Sequence, residues 1–516
     1  MQMRHAIAIA VGCVLFLCDT FSPPTAWSSG ELASASMALD SSETKESEIS
    51  QEDQEQQVGP LARRSQDIFL SDGTFVRLPQ SPFFLDQMLR VPDWLHLGLD
   101  FRTRYESYSQ PIRKNETTGG AQLSERTLVN LEMRYKPFRF HAEFLDARPL
   151  YNYGVVVSNN MEDRNDVLQL YGSLGTDNFL GSGLPTELQI GKFTQAFGKS
   201  RLIARSFYSN VPYSFAGAHW SLGTPADWQI RAFAMRPIQN QQTSPNTVNS
   251  HTNFFGLSYL DQRAPWLHTE LYAFYMTQNS QAQGTSGEDQ EQTTEGEQHN
   301  LTTLGFRVFH PATPGSFDYE IESAYQFGRS ALQPGSPLLN TFAFFQHGEF
   351  GYTFNLPWTP VIRFEYDYAS GDKDPNDSHN GRFDPLFGTL TFEFTSAGIW
   401  TLFKRSNINA PGFLVSAEPA RNVRASINQR FWWLAQAKDE FQGANLQDPT
   451  GHAGTYLGSE VDTRLAWTVS PNLVVEGGWL YLIKGSYYSN LLKQGVPGSP
   501  NDKNTDYVFL SMRLIF

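Results

Sequence analysis

The sequence predicts an all-β fold: a transmembrane antiparallel β-barrel of about 18 strands, with long external loops and short periplasmic turns. Three observations carry this expectation. Apolar and polar side chains alternate along many short segments. Long and short connections take turns between those segments. The chain also stops on an alternating segment that ends in an aromatic residue.

The final segment is the clearest. Val508, Leu510, Met512, Leu514 and Phe516 occupy every second position, while Ser511 and Arg513 point the other way. A period of two gives a strand with one oily and one polar face. This is the pattern of the last strand of a bacterial outer-membrane barrel, so the strand is also the expected handle for the barrel-assembly machinery. The same rhythm begins at Trp94, with Leu95, Leu97, Leu99 and Phe101 set against His96, Asp100, Arg102 and Arg104. It returns in Val129/Leu131/Met133/Tyr135, Phe317/Tyr319/Ile321, Ile362/Phe364/Tyr366 and Val461/Thr463/Leu465/Trp467. Alternation is less regular near 166–174, 213–221 and 392–403, which the barrel also needs as strands.

The connections set the strand count. Long polar stretches fall near 109–124, 147–165, 196–212, 237–252, 277–300, 328–344, 370–391, 438–456 and 485–504. Shorter ones lie between them, from Lys136-Pro137 to the stretch at 411–420 and Ser470-Pro471-Asn472. About nine long and eight short connections give roughly 18 strands, an even number with both ends periplasmic. A soluble β-sandwich has no reason to alternate its loops this way. A barrel this wide encloses an aqueous lumen unless loops fold into it.

Composition agrees. Apolar residues are 40% of the 516, yet aromatics reach 14% and Phe alone numbers 39. Barrels combine moderate hydropathy with many aromatics for the lipid face and its girdles. Past the leader, no stretch has the roughly 18 continuous apolar residues of a membrane helix. The net charge of −14 argues against nucleic acid as a partner.

The N-terminus reads as a secretory signal over residues 1–27. Arg4 and His5 precede the apolar run Ala6–Cys18, and small residues follow. Both cysteines, Cys13 and Cys18, lie in that run, so the mature chain has no disulfide, zinc-thiolate site or Cys nucleophile. Leu17 is too bulky to precede a lipidated Cys18. Residues 28–57 are acidic and Gln-rich and read as a disordered periplasmic tail. Residues 58–93, with four prolines, read as an irregular lead-in that serves as plug or strut. The barrel occupies 94–516.

If apolar strand residues face lipid, the polar ones face the lumen. Basic residues so placed include Arg102, Arg104, Arg126, Arg134, Arg139, Arg231, Arg307, Arg363, Arg464 and Arg513. Closure of the last strand onto the first gathers Arg513, Arg102, Arg104, Arg126, Arg134 and Arg139 on one patch of wall. Guanidinium stays charged and grips carboxylates bidentately, so such a wall attracts carboxylate-bearing solutes. Asp100, Glu106, Glu132 and Glu143 point inward on the same strands, however, and Asp318, Glu320 and Glu322 form an acidic strip. The charges therefore read equally as a selectivity filter and as a cross-strand ladder bracing the barrel.

In Gly371–Phe387, Asp372, Asp374 and Asn376 have calcium-loop spacing. Asp377 stands where such a loop needs Gly, and Phe383 where it needs Glu, which favours aspartates acting as turn-formers. No Gly-x-Ser-x-Gly elbow, HExxH or phosphate loop is present, and the histidines lack ligand spacing. A non-enzyme without cofactors is expected.

Three segments together resemble the alginate export family of outer-membrane channels. One is YASGDKDPNDSHNGRFDPLF, Tyr368–Phe387, in which Gly371, Asp372, Asp374, Pro375, Phe383, Asp384, Pro385, Leu386 and Phe387 carry the likeness. The others are Leu188–Phe207 with Phe215–Gly217, and Leu457–Gly485. The resemblance covers about residues 94–516. It implies a monomeric 18-stranded barrel with an arginine-rich pore for a polyuronate, another anionic saccharide or another small anionic solute. Arg102, Arg104, Lys192, Arg201 and Arg464 carry over as pore-lining. The family's Gly-Arg-Gln reads Gly191-Lys192-Phe193 here, and Lys192 shares parity with Leu188 and Ile190, so a bulge beside it or a different strand register is expected. The resulting expectation is a passive anion-biased channel. A general nutrient porin and a closed structural or adhesive barrel are the alternatives.

Overall fold

A computed structural model describes residues 67–69, 75–77, 85–206, 208–279, 297–389, 398–420 and 422–516. All of them belong to one unit, Ile49–Phe516. The leader and the acidic tail lie outside the described residues. Within the lead-in, Asp67–Phe69 pairs with Phe75–Arg77 as a small separate hairpin. A helical turn, Leu85–Met88, follows.

Eighteen strands close into an antiparallel barrel. In chain order they are β1 Leu95–Tyr108, β2 Gly120–Tyr135, β3 Phe138–Tyr153, β4 Asp163–Thr176, β5 Thr186–Phe193 and β6 Phe215–Thr224. Then come β7 Trp228–Gln239, β8 Thr252–Asp261, β9 His268–Gln278, β10 His299–His310, β11 Ser316–Ser330 and β12 Leu339–Thr353. The last six are β13 Val361–Ala369, β14 Ile408–Ala420, β15 Val423–Trp433, β16 Tyr456–Ser470, β17 Leu473–Lys484 and β18 Thr505–Ile515. Two-residue strands at Thr247–Val248 and His379–Asn380 pair against β7 and β12.

β18 pairs antiparallel with β1, placing Arg513 opposite Arg102 and Ser511 opposite Arg104. Leu99 and Phe516 exchange two backbone hydrogen bonds of 2.8 Å, so the terminal aromatic locks the seam. Among the described residues the barrel itself leaves no strand edge open. Chain entry is fixed at the same end: Arg134 N–H donates to the carbonyl of Trp94, and Asp86 lies 3.8 Å from His96 at the foot of β1. The section of the lead-in from Leu85 onward is thus tied to the rim.

The alternation sorts the two faces as expected. Val129, Phe144, Leu170, Leu257, Phe306, Ile321, Phe350, Ile362, Phe413, Ile427, Leu465 and Leu510 all point outward and are exposed, as a lipid-facing belt must be. No helix among the described residues is long and apolar enough to cross a membrane.

Two of the less regular segments are strands, β4 and β6. The third expectation is wrong: 398–407 is not a strand, and the expected turn at 411–420 lies inside β14. Ile399, Trp400, Leu402 and Phe403 are instead buried within the barrel, so their apolar content serves interior packing. Pro411 and Pro419 disguised the true strand, because proline withholds a ladder donor and normally signals a turn.

The inner face of β5–β9 departs from the polar pattern. Phe193, Phe215, Phe233, Met235, Phe254, Phe274 and Met276 point inward and form one buried cluster with Phe197 and Phe387 from the connections. Phe254 sits 5.1 Å from Phe233 and 5.2 Å from Phe387, ring to ring. These rings give the infolded chain an apolar seat. Phe254→Ala should therefore cost about 3–5 kcal/mol. A lower temperature for conversion of the SDS-resistant folded form to the unfolded form is the expected readout.

Candidate functional site

The lumen is narrowed by two connections. One is 194–214, between β5 and β6. The other is the described part of 370–407, between β13 and β14. They meet inside the barrel: Ile203 and Phe387 form a parallel bridge, Ala204 N–H donates to the Phe387 carbonyl, and Phe387 N–H donates to that of Leu202. The approach is so close that a Cβ on Gly388 would collide with the Arg201 carbonyl. Phe403 stacks on Trp432 of β15 at 3.8 Å between ring centres, anchoring the second connection to the wall.

Folding chain into a lumen carries backbone polar groups away from water, and each needs a partner. The seam arginines supply them. Arg102 donates to the Ser209 carbonyl at 3.2 Å and to Asn210 Oδ1 at 3.1 Å. Arg126 donates to the same Ser209 carbonyl at 3.1 Å. Arg104 donates to the Tyr208 carbonyl at 2.5 Å and to Glu106 at 2.8 Å, with its guanidinium 4.0 Å above the Tyr208 ring. Arg513 grips Asp100 at 2.9 and 2.5 Å, and Asp100 lies 3.8 Å from Arg126. The expected patch is therefore assembled for four of its six members. Its side chains are mostly buried and hold the tip of the 194–214 connection.

Arg134 and Arg139 lie elsewhere. They pair across β2 and β3 near the short-turn end, where Arg134 bonds Glu132 and Arg139 sits 3.8 Å from Glu132 and 3.7 Å from Glu187. On the far wall Arg201, which rises from the infolded connection, bonds Glu320 and, at 2.6 Å, Glu322. Arg307 donates to Glu270 at 3.1 Å and Glu320 at 3.0 Å. Arg363 bonds Asp318 at 2.8 Å, and Arg464 bonds Asp462 at 2.6 Å. Arg231 donates to the Ala196 carbonyl at 2.9 Å and to Gln195 at 2.7 Å, over the Phe197 ring. The acidic strip of β11 is thus the counter-charge for Arg201, Arg307 and Arg363.

Lys192 keeps the parity of Leu188 and Ile190, with Asp166 3.9 Å away. No register shift interrupts the β4–β5 ladder, so the expected bulge beside Lys192 is absent; the irregularities lie one ladder back, between β3 and β4. The calcium-like spacing resolves into turns. Asp374 accepts from Asn376 N–H, and Asp372 accepts from Gly381 N–H. Among the described residues no three His, Cys, Asp or Glu side chains stand close enough to hold a metal.

Sequence reasoning missed several basic residues, and four of them show why. Arg205 bonds Glu143 at 2.6 Å, and Arg405 bonds the Thr389 carbonyl. Arg430 bonds Glu365 at 2.5 Å and Asp367 at 2.8 Å. Arg382 grips Asp439 through two nitrogens. Burial alone would lower the Arg382 pKa, but Asp439 and then Glu440 hold it above the ordinary guanidinium value. Arg430 was findable, because it alternates with Asn428 and Trp432 on the inward face. The other three sit in connections, where no period marks them.

Removing Arg201 leaves Glu320 and Glu322 short of a cation inside the barrel. Arg201→Ala should destabilise the fold by about 3–5 kcal/mol and free the constriction. Single-channel recording should show a larger, noisier unit conductance than the parent protein.

A family model described as alginate export matches residues 93–489. No curated protein matches the sequence. Several solved barrels are similar in fold. OccD3 (OpdP) from Pseudomonas aeruginosa has a TM-score of 0.53 at 10% identity, over 82% of this chain and 91% of that one. OccAB2 from Acinetobacter baumannii gives 0.53 at 13% identity, over 85% and 99%. Pseudomonas aeruginosa OccK2 (OpdF), solved in complex with glucuronate, gives 0.52 at 10% identity, over 82% and 98%.

Proposed function

The chain belongs to the alginate export family, and we propose that it is a passive bacterial outer-membrane channel biased toward carboxylate-bearing saccharides. Outer-membrane location and a transport role follow from family and fold, which are those of channels and not of enzymes. The anionic preference is our reading. It rests on the inward arginines that keep contact with water. Arg134, Arg139 and Arg363 retain 44%, 28% and 21% of their side-chain surface, whereas Arg104, Arg126, Arg201 and Arg307 are sealed in the clamp. All three lie toward the short-turn end of their strands. A guanidinium in water attracts a carboxylate 4 Å away by only about 1 kcal/mol, so the bias is additive and modest. The glucuronate bound in one structurally similar barrel, and alginate in the family's description, make uronates the first solutes to try.

The mechanism needs no cofactor. Solute diffuses down its gradient past the two infolded connections, which set the width, while the exposed arginines set the sign. A closed barrel has no free edge and encloses its own lumen, which supports a monomer inserted through β18 by the barrel-assembly machinery. Residues 1–27 and 28–57 fit the roles of export signal and periplasmic tail.

A general nutrient porin on the same scaffold is the second reading. It is favoured by the pairing of most lumen arginines with a carboxylate, which offsets much of their charge. Planar-bilayer reversal potentials separate the two. The anion channel should pass chloride in preference to potassium, and Arg134→Ala with Arg139→Ala should move the ratio toward unity. Cation preference in the parent protein that persists in the double variant would sink the anion reading. Block by oligouronates but not by neutral sugars would exclude the general porin.

A further inference from the structure

The long-loop end of the barrel is built unevenly. On the side of the closure seam three connections, 109–119, 434–455 and 485–504, are laced to one another. Lys114 N–H donates to the Ala444 carbonyl at 2.8 Å, and Asn115 N–H donates to that of Gly498 at 2.7 Å. Lys484, the last residue of β17, donates to the carbonyls of Pro111 and Asn501 at 2.6 and 2.7 Å. The helix Ser486–Gln494 lies in the third connection. It buries Tyr487, Tyr488 and Leu491 in the same cluster as Trp400 and Leu402. Arg113 fastens this roof to the infolded chain, donating to the carbonyls of Ile399 and Trp400 at 3.1 and 2.5 Å. Close packing of this kind leaves few voids as large as a water molecule.

Away from the seam the same end holds a cavity of ≈ 600 Å³. It lies among 331–338, the tops of β10 to β12 and the described part of 370–407, and Gln442 and Asn445 on the flank of the roof close it. Its rim is exposed at Asn115, Gln333 and Asn445, and its floor is buried at Leu301, Ser330 and Phe383. Phe383 opens the run that bonds to 202–204 in the lumen, so the cavity reaches from solvent to that junction. The walls are braced without being filled. Arg382, fixed on Asp439, donates to the Leu332 carbonyl at 3.1 Å and ties two connections together. His299 stands between Glu297 at 3.6 Å and Asp384 at 3.5 Å. Three cations of the lining, Lys114, Arg382 and Lys404, are matched by three carboxylates, Glu297, Asp384 and Glu440.

We propose that this cavity is the external vestibule of the solute path, so that solutes reach the junction over β10 to β12 and not through the roofed seam side. The physical ground is the contrast between the two sides. Both are ordered by hydrogen bonds across connections, but one is packed with apolar side chains and the other keeps a polar-lined space. Matched charges make the vestibule a filter of size more than of sign. A bulky group on its walls should therefore stop the current, and the same group on the roof should not. The inference adds a route to the reading above and does not depend on its preference for anions.

Thiol labelling tests it in the full chain carrying Cys13→Ser and Cys18→Ser. Gln333→Cys and Gln442→Cys each put a thiol on a different wall of the cavity, and Lys493→Cys puts one on the exposed face of the roof helix. Each variant is reacted with pyrene maleimide, a neutral rigid label, and complete reaction is confirmed by mass before insertion into planar bilayers. The label should lower the unit conductance by about half or more at either cavity position and leave it unchanged at Lys493→Cys. Unlabelled variants that conduct like the parent establish that the fold is intact, and the second wall decides should one variant fail to fold. The proposal is overturned if cavity labels leave the conductance at its unlabelled value, or if the label on the roof lowers it as much. A parent channel without anion preference overturns the selectivity reading and leaves the route standing.

Discussion

The hydrogen bonds from the wall arginines to the infolded chain are what the interior depends on. Eighteen strands enclose more space than inward side chains can fill. Two connections therefore occupy the lumen, bringing carbonyls that would otherwise be stranded. Guanidinium is suited to the task, since it offers several donors in a fixed plane and stays charged. Arg102, Arg104 and Arg126 spend those donors on the carbonyls of Tyr208 and Ser209. Arg201 works from the opposite side, carrying a cation on the connection to carboxylates on the wall. The connection is fastened at both ends, with the rings of β5–β9 beneath it.

This division of labour bears on selectivity. A guanidinium whose donors are committed to protein carbonyls has little left for solute, whatever its place in the sequence. The arginines form two sets, separated by exposure: Arg102, Arg104, Arg126, Arg201 and Arg307 brace, while Arg134, Arg139 and Arg363 meet water, and the proposed bias toward anions falls to the second set. The balanced charge of the braced set also explains how so many ionic groups can lie inside a barrel, because an unpaired buried charge costs far more than a paired one.

The wall was legible in the sequence because its rules are local. A period of two distinguishes lipid from lumen, and loop parity counts strands. The closure seam and the Arg513–Arg102 pairing followed from those rules alone. The interior was not legible, for a physical reason. Segments that fold into a lumen are apolar and aromatic like strands but obey no period, so Ile399–Phe403 imitated one, while Pro411 and Pro419 hid β14. Basic residues in such segments, Arg205, Arg382 and Arg405 among them, are placed by long-range packing that no spacing announces.

The two most telling sequence motifs gain a common explanation from this. The segment around Gly198–Ser206 and the Phe383–Phe387 run lie some 180 positions apart, yet their backbones bond to each other in the lumen. Asp384 and Phe387 of the second motif, and Gly388 just after it, have tasks at that junction. Asp384 caps Leu386 N–H at 2.8 Å, and Phe387 fills the space between Phe215 and Phe254. Gly388 lets the chain pass the Arg201 carbonyl. These parts of the motif thus specify the contact between the two infolded connections. A change of cargo on this scaffold is therefore expected in the water-exposed arginines, with the junction itself left alone.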